Sequence, residues 1–202
     1  MTLTYMPIEK KPAQKMDELN GQIQESLSLI FTSFYKCRGQ LCGEIEQRTQ
    51  EIQKLLEELQ EYSTHDYLSK KEIVLAKNIL INYQNILRNI RMLTTLTRTK
   101  NLERILFMEK TLKEMNELLS GINSLFTHLN DAILTKNPVL LEHILQEKKK
   151  YKELSRKFAQ KPEECLIKGI CPTRSSSLYL SLLDSIKDIL WNIQKIAEEL
   201  RK

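Results

Sequence analysis

Two aspartates near the C-terminus, Asp184 and Asp188, are the residues of this chain whose type and spacing best suit chemistry. Helical side chains four positions apart lie on one face, so the two carboxylates would be neighbours. Two acids this close repel each other, and a divalent cation would relieve that repulsion and accept hard oxygen ligands. Lys187 lies between them in the sequence and offers the alternative of an ordinary solvated surface. Spacing alone favours the solvated surface.

A complete metal site would need further acids from a neighbouring helix. The acids available for that purpose are Glu109, Glu114, Glu142 and Glu147. The sequence does not say which of them would face the aspartate pair.

Enzymatic chemistry has no support elsewhere in the chain. The three histidines, His65, His128 and His143, form neither an H-x-x-x-H nor an E-x-x-H pair, which argues against a di-iron helical bundle. Single histidines of this kind are usually surface or capping residues. The chain also lacks a G-x-S-x-G motif, a Walker loop and a dinucleotide-binding glycine pattern. We therefore expect a protein that is not an enzyme.

The four cysteines are expected to be free thiols. Cys37, Cys42, Cys165 and Cys171 include no C-x-x-C pair, so a zinc site is not indicated. In a reducing cytoplasm such cysteines stay reduced, some of them in the core.

The aspartate pair would be positioned by a C-terminal helix that starts after Pro172 and a cluster of Ser and Thr residues. An apolar stripe follows at alternating steps of four and three: Tyr179, Leu183, Ile186, Leu190, Ile193, Ala197 and Leu200. Such a helix needs partner helices. Asp184 and Asp188 lie on the opposite, polar side with Lys195 and Trp191 nearby. The tryptophan is expected in the core or at a helix interface rather than as a platform for a ligand.

Composition indicates that the whole chain is α-helical. Its 202 residues contain only 5 Gly and 5 Pro, with 41% apolar and 28% charged residues. The net charge of +5 is too mild to indicate nucleic-acid binding. No run of 18 apolar residues is present, and the first residues lack the apolar core of a signal peptide. We expect a cytoplasmic protein without a transmembrane segment.

Local signals divide the chain into an arm at residues 1–13 and six helices. A break is expected near Leu41, and Ser69 with Glu72 has the spacing of a capping box before the third helix. A polar link is predicted at residues 94–100.

The second half carries comparable signals. Asn137 and Pro138 mark a corner between the fourth and fifth helices. Gly121 within the fourth helix indicates either close helix contact or a bend. The longest irregular link is predicted at residues 160–174.

The two halves repeat each other. A shift of 100 residues aligns the apolar positions of the third helix with those of the sixth, for example Ile86 with Ile186 and Leu93 with Ile193. The sequence therefore predicts two tandem three-helix bundles, at residues 14–96 and 97–202.

The sixth helix resembles the third-helix signature of PhoU-like domains, which reads roughly Leu-Glu-Arg-Ile-Gly-Asp-His-Ala-x-Asn-Ile-Ala-Glu. Asp184 and Asp188 fall where the family has its two acids, and Asn192 and Glu198 also follow the pattern. Residues 132–142 resemble the family's corner between its first and second helices. The resemblance extends from residue 16 to residue 200 as two units. It is closest to the soluble PhoU-like domain attached to sodium/phosphate cotransporter-type membrane proteins.

Family members bind iron or zinc clusters, or magnesium, through these acids. In the first unit Gln84 and Arg88 stand where the acids should be, so the resemblance implies no metal there. In the second unit Lys187 replaces a Gly and Ile189 a His. The resemblance thus implies at most one metal site, at Asp184 and Asp188.

The resemblance also implies a function. It indicates a non-enzymatic regulator of phosphate transport or signalling that docks helical faces onto a membrane transporter or a sensor kinase. Its place would be the cytoplasm, with peripheral association at the inner face of the membrane, and homo-oligomers are compatible with it. A helical scaffold unrelated to phosphate is the alternative, and a metal-storage protein or metal-dependent enzyme is a weaker third.

Overall fold

The computed structural model describes residues 10–64, 69–135, 137–169 and 172–201. Within these ranges the chain forms six helices and no strand, which confirms the predicted all-α class. The helices are α1 (Lys10–Lys36), α2 (Leu41–Tyr62), α3 (Lys70–Leu102), α4 (Glu109–Thr135), α5 (Pro138–Ile167) and α6 (Thr173–Leu200).

The helices pack as two triplets. Each of α1, α2 and α3 contacts the other two, and α4, α5 and α6 repeat the same pattern. The triplets meet where α1 contacts α4 and α3 contacts α6. One continuous hydrophobic core runs through all six helices. The predicted pair of three-helix bundles is therefore confirmed, and the two bundles share a core.

The apolar residues of α6 explain its central position. Leu182, Ile186, Ile189 and Ile193 are fully buried, because α6 packs against α3, α4 and α5 at once. Only a narrow line of its surface, which includes Asp184, stays exposed. The helix begins at Thr173 directly after Pro172, as the sequence predicts.

The start of α3 also follows the sequence. The Ser69 hydroxyl accepts a hydrogen bond from the Glu72 backbone N–H at 3.3 Å, and the Glu72 carboxylate accepts one from the Ser69 N–H at 2.8 Å. This reciprocal pair satisfies two amide groups that a helix start leaves free.

The polar link predicted at residues 94–100 is wrong, because α3 continues to Leu102. Polar residues of this stretch are accommodated within the packed helix, where the Thr94 hydroxyl donates to the Ile90 carbonyl at 2.8 Å. Lys100 is 3% exposed, and its ammonium donates to the Phe34 carbonyl at 2.7 Å. The predicted boundary between residues 96 and 97 thus falls within α3, and the break lies at residues 103–108.

Two other predicted boundaries differ from the structure. Helix α1 begins at Lys10, so the arm predicted for residues 1–13 overlaps its first turn, where Pro12 is tolerated; residues 1–9 lie outside the described ranges. The link predicted at 160–174 is helical up to Ile167, with Pro162 inside α5. Gly169, at φ +66°, follows that helix end in the left-handed conformation that favours glycine.

Candidate functional site

A surface groove of about 240 Å³ lies between α5 and α6 and contains one of the two predicted site residues. Its walls are formed by Tyr151, Lys152 and Ser155 of α5 and by Lys187, Asp188, Leu190, Trp191 and Gln194 of α6. On α5, Tyr151 and Lys152 each lie about one turn before Ser155, and on α6 Lys187, Trp191 and Gln194 follow one another at one-turn steps, so both helices turn side chains toward the same space.

Buried contacts hold the α5 wall. Tyr151 is 7% exposed, and a Cβ added to Gly121 of α4 would overlap its ring. This decides between the two interpretations of Gly121 in favour of close helix contact. The Ser155 hydroxyl donates to the Tyr151 carbonyl at 2.7 Å. Burial raises the pKa of Tyr151, so its hydroxyl stays protonated at neutral pH.

The α6 wall combines an aromatic rim with the side-chain amide of Gln194. Trp191 is 50% exposed rather than part of the core, and the Lys195 ammonium lies 4.9 Å from its ring centroid. Gln194 is only 4% exposed, yet its side-chain amide hydrogen-bonds to no residue in the described part of the chain. The amide is therefore available to bond to a ligand that enters the groove.

The two aspartates have different surroundings. The Asp184 carboxylate is 71% exposed and pairs with the Lys187 ammonium at 2.7 Å, as the solvated-surface interpretation predicts. Asp188 lines the groove and forms no ion pair with any described residue. Lys187 therefore pairs with Asp184, and Asp188 faces the groove.

The acids considered as further metal ligands are each engaged elsewhere. Glu109 pairs with Lys113 at 2.7 Å, and Glu147 with Lys150 at 2.9 Å. The other two bond across helices: the Tyr179 hydroxyl donates to the Glu114 carboxylate at 2.8 Å, and Arg201 donates to Glu142 at 3.2 Å.

These residues do not fit an iron or zinc cluster. Among the residues that the structure describes, no three His, Cys, Asp or Glu side chains come together in a way that would hold a metal ion. Magnesium differs from iron and zinc because it keeps several water ligands and needs only one or two carboxylates. A single hydrated magnesium ion at Asp184 and Asp188 stays a prediction.

Lys187 competes with that ion for Asp184. We expect Lys187→Ala to raise the Mg²⁺ affinity about fivefold, since an exposed ion pair contributes up to about 1 kcal/mol. Isothermal titration of wild type, Lys187→Ala and the Asp184→Ala/Asp188→Ala double variant measures this. Equal Mg²⁺ binding by wild type and the double variant would remove the site.

Two features of the titratable residues were not visible in the sequence. The rings of His128 and His143, on α4 and α5, lie 4.7 Å apart between centroids, and His128 Nδ1 is buried without a hydrogen bond to any described residue. Their positions, 15 apart across a helix corner, carry no recognisable spacing. His65 lies outside the described residues.

Of the cysteines, Cys37 and Cys42 are free thiols, as predicted, and the side chains of Cys165 and Cys171 lie outside the described part.

The six helices and their contacts define an all-α fold in which two three-helix units pack side by side. This is the fold of PhoU, as the resemblance predicted. The crystal structure of PhoU from Pseudomonas aeruginosa matches with a TM-score of 0.82 and 11% identity, covering 95% of this chain and 94% of that chain. At this identity the likeness establishes the fold alone. Neither family models nor curated proteins gave a match.

A helix that crosses a membrane needs a long and almost wholly apolar stretch. None of the helices in the described ranges contains one.

Proposed function

We propose that this chain is a non-enzymatic regulator of phosphate transport or phosphate signalling. The observation that carries the proposal is the PhoU fold, which covers 95% of the chain. A likeness of fold does not supply a mechanism, so the mechanism rests on the groove between α5 and α6. The groove offers binding groups, and its residues include no nucleophile paired with a base.

The groove is the proposed contact with the partner. Tryptophan is among the residues that most often contribute strongly to binding, especially beside groups that binding desolvates. Trp191 supplies apolar area, Gln194 offers an amide, and Lys152, which forms no ion pair within the described ranges, attracts an acidic group. The partner is a membrane transporter or sensor kinase at the inner face of the membrane. Docking biases the conformation of the partner or blocks its transport pathway, and no covalent bond changes.

Trp191→Ala tests the groove as the contact. We expect it to weaken binding to solubilised membrane proteins of the host about thirtyfold, the effect of losing about 2 kcal/mol at a binding hot spot. Quantitative co-purification measures the loss. Ile81→Ala on α3 is the matched control, because Ile81 is a large apolar residue with similar exposure, 54% against 50%. Equal recovery with both variants would contradict docking through the groove.

A further inference from the structure

The segment from the last residue of α3 to the start of α4 exposes more apolar surface than a solvated loop requires. Leu102, Leu106 and Met108 are 76%, 84% and 75% exposed, and they lie within seven consecutive residues. Isolated exposed apolar residues are common, but several on one short segment indicate an interaction surface. We refer to residues 102–108 as the linker tip.

The outward orientation of these side chains is built into the fold. Phe107 anchors the linker tip from its inner side, with its ring centroid 5.3 Å from that of Phe34 and 6.3 Å from that of Tyr179. The backbone is tied to the end of α3, since the Glu103 and Ile105 N–H groups donate to the Thr99 and Lys100 carbonyls at 2.9 Å each. The exposed leucines therefore cannot turn inward without breaking this anchor.

The turn between α1 and α2 lies beside the linker tip. The Asn101 side-chain amide donates to the Ser33 carbonyl at 3.3 Å and to its hydroxyl at 3.2 Å, and the same hydroxyl donates to the Arg38 carbonyl at 2.9 Å. The exposed cations Lys36, the last residue of α1, and Arg38, in the turn, thus flank the exposed apolar residues.

The charge around the linker tip is cationic. Its acid Glu103 is neutralised by Arg174 of α6, and the adjoining Glu109 pairs with Lys113. Three other cations, Lys36, Arg38 and Arg104, form no ion pair with any residue in the described ranges. The surplus positive charge therefore surrounds an exposed apolar tip.

We propose that the linker tip and its flanking cations dock this protein onto the surface of an anionic lipid bilayer. Leu102, Leu106 and Met108 enter the boundary between headgroups and acyl chains, while Lys36, Arg38 and Arg104 contact lipid phosphates. A projecting apolar tip suits a deformable bilayer, whereas a protein partner would need a cavity to receive it. This proposal depends on the exposure and charge of the linker tip and not on the proposed role in phosphate regulation.

Vesicle sedimentation with the purified full chain tests the proposal. We expect binding to vesicles that contain phosphatidylglycerol and little binding to pure phosphatidylcholine. Leu106→Asp should reduce the partition coefficient at least tenfold, and Arg104→Gln about fivefold, as expected for one cation at an anionic surface. Val139→Asp is the matched control, because Val139 is 70% exposed near the start of α5, away from the linker tip. Arg91→Gln on the exposed face of α3 controls for loss of charge.

Several results would overturn the proposal: no binding to either vesicle, equal binding to both, or equal losses for Leu106→Asp and Val139→Asp. The wild type could also fail to bind vesicles but associate with itself, and Leu106→Asp could abolish that association. This result would overturn the proposal and show that the linker tip contacts a second copy of the chain. Circular dichroism of Leu106→Asp checks that the fold persists, as its exposure predicts. Because the vesicles contain no protein, a lack of vesicle binding would not contradict the proposed contact with a transporter or kinase, which the Trp191→Ala experiment tests separately.

Discussion

Asn20→Ala should lower the free energy of unfolding by about 3 kcal/mol, because it removes the acceptor of the buried Tyr83 hydroxyl and the donor to the half-buried Asn130 side chain. Asn20 is 1% exposed and joins three helices. Its side-chain Oδ1 accepts from the Tyr83 hydroxyl of α3 at 2.9 Å, and its Nδ2 donates to the side-chain Oδ1 of Asn130 on α4 at 2.9 Å. Burial raises the pKa of Tyr83 far above its ordinary value, so the hydroxyl remains a donor at neutral pH.

Urea unfolding followed by circular dichroism measures this loss. The midpoint should fall while the slope stays unchanged, which indicates a change in stability alone. The Asn20→Ala/Tyr83→Phe double variant should lose less than the sum of the single losses, since it removes the orphaned hydroxyl as well. Additive losses, or an Asn20→Ala protein within about 1 kcal/mol of wild type, would show that the network does not couple the helices.

Gly121→Leu should destabilise the protein by about 3 kcal/mol, the upper part of the range for overfilled cores. A Cβ at this position would already overlap the buried Tyr151 ring, and a leucine adds further bulk. The ring forms part of the groove wall, so its displacement should also weaken co-purification of the partner. Thermal or urea unfolding measures the first effect, and membrane-protein recovery the second.

Gly43→Leu is the matched control for this substitution. Gly43 is a helical glycine, and no atom lies within 4 Å of the position that a Cβ would occupy there. Leucine at this position should therefore be neutral or stabilising by up to about 1 kcal/mol. The Gly121→Leu/Tyr151→Ala double variant should be more stable than the sum of its single losses predicts, because the smaller side chain makes room. Equal effects at Gly43 and Gly121 would contradict close contact between α4 and Tyr151.

The features that the sequence predicted correctly are those decided by local pattern. The apolar spacing of α6 predicted a helix buried by several partners, and Ser69 with Glu72 predicted a cap that the structure contains. The repeat of apolar positions at a shift of 100 residues predicted two equivalent triplets. These signals depend on periodicity and on short-range hydrogen bonds, which one sequence contains in full.

Helix ends were predicted less well, because tertiary contacts decide them. Thr97 and Lys100 look like linker residues, yet both are buried in the last turns of α3, where Lys100 reaches a carbonyl of α1. Pro162 suggested a break, but α5 continues past it. A buried polar residue at a helix end cannot be distinguished from a solvated one without knowing which helix lies opposite.

The groove was only half predictable. Asp188 and Trp191 were singled out from one helix face, whereas Tyr151 and Lys152 come from a helix more than 30 positions away. Gln194 carried no signal, since its place in the groove wall depends on how α5 packs against α6. The metal site at Asp184 and Asp188 remains a prediction that depends on whether Mg²⁺ displaces Lys187.

The identity of the membrane protein recovered with this chain from its host tests the central claim most directly. Mass spectrometry should find a phosphate transporter or a sensor kinase enriched with the wild type and with Ile81→Ala, and depleted with Trp191→Ala. Enrichment of an unrelated protein through the same groove, or of no membrane protein at all, would contradict a role in phosphate regulation and favour a scaffold.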